Sequence, residues 1–120
     1  MKFFLTLRSL VGNIPTMFDE RLTQQQALDL LQHCLEEGEV ILSGHALKEL
    51  AKDGLDVTDA HYVLKKGAVF DAPERDVRTG KWRYRVEGTC PSEKWLAVVF
   101  AFDSADVAIV VTSFVVSRSK

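Results

Sequence analysis

The sequence predicts an α+β fold, with two to three N-terminal helices packed on a C-terminal antiparallel sheet of about four strands. Three observations carry this expectation. Between Thr23 and Gly67 the apolar residues recur at helical spacing and are punctuated by capping residues and glycines. From Ala68 onward the period falls to two, or the segments become apolar throughout. The two patterns occupy separate parts of the chain instead of alternating, which argues against a doubly wound sheet.

Thr23-Gln-Gln-Gln26 has the form of a capping box, in which the Thr23 hydroxyl accepts the Gln26 N–H and Gln26 reaches back. Ala27, Leu28, Leu31, Cys34 and Leu35 then share one helical face, and Gly38 is a natural stop. Glu39–Ser43 reads as a short strand. Ser43 can cap a second helix that runs to about Asp53 and stops at Gly54, with Ala46, Leu47, Leu50 and Ala51 as its apolar face. Asp56 or Thr58 caps a third, with Val57, Ala60, Val63 and Leu64 inward and Gly67 closing it. These last two helices are expected to form a compact helical hairpin.

Ala68–Ala72 reads as a strand ended by Pro73. Lys81–Glu87 alternates, with Lys81, Arg83, Arg85 and Glu87 on one face and Trp82, Tyr84 and Val86 on the other, where they are expected to be core. Trp95–Phe102 and Val107–Val116 are apolar on both faces and read as central strands joined through Asp103–Asp106. Such a hairpin needs cover on both faces. The helices supply one cover. The other is expected from the N-terminal arm (Phe3, Phe4, Leu5, Leu7) or from a second protein, so a homodimer through the final hairpin or the arm is one expected partner arrangement.

The chain has 120 residues, which suits one domain; residues 1–21 read as an arm and 22–120 as the domain. The opening Met1-Lys-Phe-Phe-Leu-Thr-Leu-Arg resembles a signal peptide only superficially. Arg8 ends its apolar run well short of the ~7–15 residues that such a segment needs. Nothing approaches a membrane span, and Cys34 and Cys90 make no disulfide framework, so the expected setting is a reducing cytoplasm. Three histidines without ligand spacing argue against a zinc site, and no nucleotide or cofactor motif is found, so neither metal nor cofactor is expected.

The net charge of −2 conceals an asymmetry: residues 1–60 carry 5 Lys/Arg against 10 Asp/Glu, and residues 61–120 carry 10 against 7. Between Arg75 and Arg85 five basic residues face one acid, Asp76. The positive charge is local.

The run His45-Ala-Leu-Lys-Glu-Leu-Ala-Lys-Asp-Gly-Leu-Asp56 carries a resemblance, together with the Val57–Gly67 helix, Gly80, Tyr84, Gly88 and Val110-Val-Thr-Ser-Phe114. It resembles a bacterial family of uncharacterised small domains whose helix reads His-Ala-x-x-Arg-Met-x-x-Arg-Gly-Ile. The same span is similar to the motility quorum-sensing regulator (MqsR) toxins, RelE-like mRNA interferases neutralised by an antitoxin. That resemblance implies a RelE/MqsR-like fold, RNA as ligand, and a cognate antitoxin as partner. The sequence departs from the pattern at Glu49 and Asp53, where arginines are usual in the first family, and near Asp71, where the toxins carry a lysine.

An RNA-cleaving site needs a base, an acid and cations for the phosphate. The candidate catalytic residues are His45, Arg83 and Arg85, and the candidate RNA-binding residues are Lys81, Arg75 and Arg78. Lys81, Arg83 and Arg85 at period two stand ~6–7 Å apart on one face, close to the spacing of phosphates along a single strand. The bland alternative is a solvated face with Glu87 as partner. His45, at the start of a helix, reads equally as a general base or as a structural imidazole, whereas His33 and His61 read as structural or exposed. The expected function is a toxin-like RNA-binding protein, with mRNA interferase (endoribonuclease) activity in its enzymatic form. The alternative is a non-catalytic protein- or nucleic-acid-binding module of the same fold.

Overall fold

The computed structural model describes residues 20–69 and 72–116. Residues 1–19 of the expected arm lie outside them. The elements, in chain order, are α1 (Gln24–Glu37), β1 (Glu39–Leu42), α2 (Gly44–Lys52), α3 (Val57–Lys66), β2 (Ala68–Val69), β3 (Glu74–Arg75), β4 (Trp82–Thr89), β5 (Trp95–Ser104) and β6 (Val107–Val115). This is the expected α+β class. The strand order is β1-β6-β5-β4-β2, and β3 pairs with β4 farther along the edge that β2 occupies.

Local chemistry sets the helix ends as the sequence predicts. Thr23 and Gln26 form the reciprocal capping box of α1, and the Ser43 hydroxyl accepts the Ala46 N–H at the start of α2. At α3 the cap is Asp56, whose carboxylate accepts the Thr58 and Asp59 N–H groups. Ala27, Leu30, Leu31, Ala46, Leu50, Ala60, Val63 and Leu64 then meet Tyr84, Val86, Leu96, Val98, Phe100, Phe102, Ala108 and Val110 in one core between the helices and one face of the sheet.

Three expectations are corrected, and the expected antiparallel C-terminal sheet gains a parallel edge. β1 runs parallel to β6 in the register Glu39↔Val107 to Leu42↔Val110. A parallel pair needs a long crossover, and the rest of the domain supplies it. The α2–α3 pair is not a helical hairpin: α2 packs chiefly on β6, and α3 on β4 and β5. With the sheet as their floor, these helices bury a narrower stripe than the sequence suggests, so Leu47 (42% exposed), Val57 (48%) and Ala51 face outward. Of the expected Ala68–Ala72 strand, Ala68–Val69 form β2 and residues 70–71 lie outside the described residues; a further short strand, β3, follows Pro73 and pairs with β4 in a register two residues from that of β2.

Tyr84 ties the start of the described chain to the sheet. Its ring is buried with Phe100 and Phe102, at centroid distances of 5.7 Å to each. Its hydroxyl accepts the Leu22 N–H at 2.9 Å and donates to the Glu20 carbonyl at 3.4 Å. Burial pushes this phenol above its ordinary pKa, against the opposing effects of the Leu22 N–H and Arg21, so it stays protonated. Tyr84→Phe keeps the ring and strips the Leu22 N–H of its acceptor. The expected loss is about 1–3 kcal/mol in urea unfolding with an unchanged slope, and an unchanged midpoint would show that Leu22 is resolvated.

A second tie holds the β4–β5 turn. The buried Asp59 carboxylate on α3 accepts the Ser92 hydroxyl at 2.9 Å and the Ser92 N–H at 3.3 Å, while its other oxygen accepts the Asp56 N–H at 3.1 Å. Burial alone would raise its pKa. The hydrogen bonds from Asp56, Ser92 and Cys90 outweigh that and hold it below the ordinary 3.8. Stability from this group is therefore fully present above the unfolded-state value and is lost as pH falls through the lower folded value. Asp59→Asn is expected to flatten that acid limb in pH-dependent thermal melts; an acid limb as steep as that of the wild type would assign it to other carboxylates.

Candidate nucleic-acid interface

The helices cover one face of the sheet, and no described helix lies across the other. What points to that second face is decided by a β-bulge. Thr112 pairs with Val99 but Val110 pairs with Phe100, so β6 carries one extra residue, Val111. Before the bulge Ala108 and Val110 point into the core; after it Ser113 is buried and Phe114 is 37% exposed. Strict alternation would have sent Thr112 and Phe114 inward with Val110. The bulge turns them to the open face, Thr112 level with Val99 and Arg85 and Phe114 level with Ala97 and Glu87.

On this face Glu74, Arg83, Arg85, Val99, Thr112 and Phe114, with Ala72 and the backbone region of Tyr84, line a groove of about 220 Å³. Arg83 donates from Nη2 to Asp76 Oδ2 at 2.8 Å. Asp76 also accepts the Arg78 N–H at 2.8 Å and the Thr79 N–H at 3.3 Å. The Arg78 N–H is the main cause holding its carboxyl below the usual range; burial opposes this, and the Thr79 N–H and Arg83 add to it. Asp76 is thus a firm anion that keeps Arg83 aimed. Arg85 pairs through Nε with Glu87, which also accepts the Trp95 indole N–H at 2.7 Å, and its guanidinium lies 5.1 Å from the centroid of Phe114. Lys81 bridges to Asp103 at 3.1 Å.

The structure separates the expected site residues. Arg83 and Arg85 share the groove, and Lys81 stands beside them at the end of β4. Arg78 is exposed in the connecting turn. Arg75 pairs in register with Trp82, with its guanidinium 6.0 Å from that ring and Nε donating to the Gly80 carbonyl, so it belongs to the side away from Arg83. His45 is exposed in the first turn of α2, over β6 on the helix side. β6 is two strand positions from β4, ~10 Å across the sheet, and the arginines leave the sheet on the face opposite the helices. His45 is not brought to the two arginines. His33 is structural: it is buried on α1, with Nε2 2.7 Å from Asp106 Oδ1. Beside it the Cys34 thiol is pushed up to about 12 by burial and secondarily by Asp106, which makes it chemically inert at neutral pH. Among the described residues no group of three His, Cys, Asp or Glu side chains is placed to hold a metal ion.

Glu74, Thr112 and Phe114 were not legible as site residues. Thr112 and Phe114 depend on the bulge, and Glu74 on a two-residue strand whose only sequence signal is the preceding Pro73.

A family model described as Domain of unknown function (DUF4258) matches residues 42–115, and the chain belongs to that family. Comparison with the curated proteins and with the solved structures found no match. No described helix is long and apolar enough to cross a membrane.

Proposed function

We propose that this chain is a toxin-like RNA-binding protein of the RelE/MqsR kind that takes a single strand of RNA across the open face of its sheet. The observation that carries the reading is the groove itself, in which two arginines two residues apart stand beside a half-exposed phenylalanine. Cations at that spacing suit successive phosphates, and an aromatic ring beside them suits an unpaired base. A toxin of this kind acts in the cytoplasm and is held in check by a cognate antitoxin, and the open sheet face is where such an antitoxin would compete with RNA.

One observation favours a second reading, the non-catalytic binding module. Arg83, Arg85 and Lys81 each hold a carboxylate already, and His45 stands away from them. Binding a phosphate then requires exchange of an internal carboxylate, which lowers affinity without abolishing it.

The test is binding of a fluorescein-labelled single-stranded RNA by anisotropy, across a salt series, with the wild type and Arg83→Ala/Arg85→Ala, alongside growth arrest on expression. RNA binding lost in the double variant supports the reading. Wild-type protein that leaves RNA unbound but co-purifies stoichiometrically with a protein partner supports the second.

A further inference from the structure

The groove holds a carboxylate as well as cations. Glu74 lies directly opposite Arg83 in the β3–β4 pairing, so the two side chains leave the sheet on the same face, with Cβ atoms ~4.5–5.5 Å apart. Arg83 nevertheless makes its ion pair with Asp76, two residues farther along. No hydrogen bond or ion pair among the described residues engages the Glu74 carboxylate, and it lines the groove with Arg83, Arg85 and Thr112. Asp76 and Glu87 are committed, the first to two backbone N–H groups and Arg83, the second to Arg85 and the Trp95 indole. Of the described carboxylates around the arginines, Glu74 is the one with open lone pairs facing the cavity.

We propose that Glu74 is the general base of an RNA-cleaving site built in this groove, an inference that rests on RNA binding at the same face. The Glu74 carboxylate takes the proton of a ribose 2′-hydroxyl. The 2′-oxygen forms a bond to the adjacent phosphorus, and the bond from phosphorus to the 5′-oxygen breaks. The leaving 5′-oxygen takes a proton from water, and Glu74 returns its own to solvent. The products are a 2′,3′-cyclic phosphate and a 5′-hydroxyl, with no oxidant, metal or cofactor in the balance. Arg83 and Arg85 carry the charge that gathers on the phosphoryl oxygens. The substrate is therefore single-stranded RNA, and DNA of the same sequence binds without being cut.

Glu74 is exposed on an edge strand, so Glu74→Gln leaves the fold intact. The experiment incubates the full chain with a labelled mixed-sequence 12-nucleotide RNA and, in parallel, its 2′-deoxy counterpart, and reads both binding and cleavage. Expected are cyclic-phosphate ends from RNA only, a rate reduced by about a hundredfold or more in Glu74→Gln, binding equal to or tighter than that of the wild type, and partial recovery in Glu74→Asp. Wild-type protein that binds RNA and leaves it whole, or Glu74→Gln that cuts at the wild-type rate, overturns the catalytic inference and leaves RNA binding standing. Wild-type protein that binds no RNA overturns both.

Discussion

Replacing Gly38 by alanine is expected to destabilise the domain by about 3 kcal/mol or more, the cost of forcing a methyl group into a packed site that cannot yield. A Cβ built at Gly38 lies 2.0 Å from the Asp106 carbonyl oxygen, a backbone atom with no rotamer to change. The obstruction falls where two attachments meet. The Glu39 N–H donates to that same carbonyl at 2.9 Å, and His33 reaches the Asp106 side chain at 2.7 Å. Relief requires the β5–β6 turn to move off the end of α1, which breaks both. In thermal melts the effect is a fall in Tm of roughly 10 °C or more for a domain of this size. A Tm within 2 °C of the wild type would show that the turn is free to shift.

Arg83→Ala/Arg85→Ala is expected to lower RNA affinity by about tenfold or more at moderate salt and to reduce the slope of log K against log salt by about 1–2. The reason goes beyond lost cations. Asp76 is kept ionised by backbone N–H groups whether or not Arg83 is present, so the variant leaves an anion beside the groove. Arg83→Ala alone should therefore weaken binding more than Asp76→Asn/Arg83→Ala, in which the pair is removed together. If the double arginine variant retains wild-type RNA affinity and full growth arrest, the groove is not the interface.

Much of the fold was written in short-range signals. Thr23-x-x-Gln26, Ser43, Asp56, Gly38 and Gly67 bound helices because capping and stopping are local events, satisfied by atoms three or four residues away. Tyr84 and Val86 could be assigned to the core because β4 alternates from Arg83 to Val86, before the buried Glu87 breaks the pattern. The site was less legible for physical reasons that particular residues display. Val111 shifts the parity of β6 by one, and nothing in Val-Val-Thr-Ser-Phe announces which residue is the extra one. Asp76 and Glu87 neutralise arginines through pairings that a charge count records only as a local positive excess. His45 sits in a block that resembles a known family, yet the fold carries that block over β6 from the helix side, away from the basic strand.

The parallel pairing of β1 with β6 joins residues 68 positions apart in the chain, Glu39 with Val107. On the ribosome that contact cannot form until the last strand has left the exit tunnel, because β6 is the only described neighbour of β1 and also lies between β1 and the rest of the sheet. Contacts of such long separation slow folding, since loop-closure entropy must be overcome before they contribute. The helical segments are therefore made early and wait. Thr112 and Phe114 enter the sheet with that same closing strand, so the groove is completed only after every other described element has been translated.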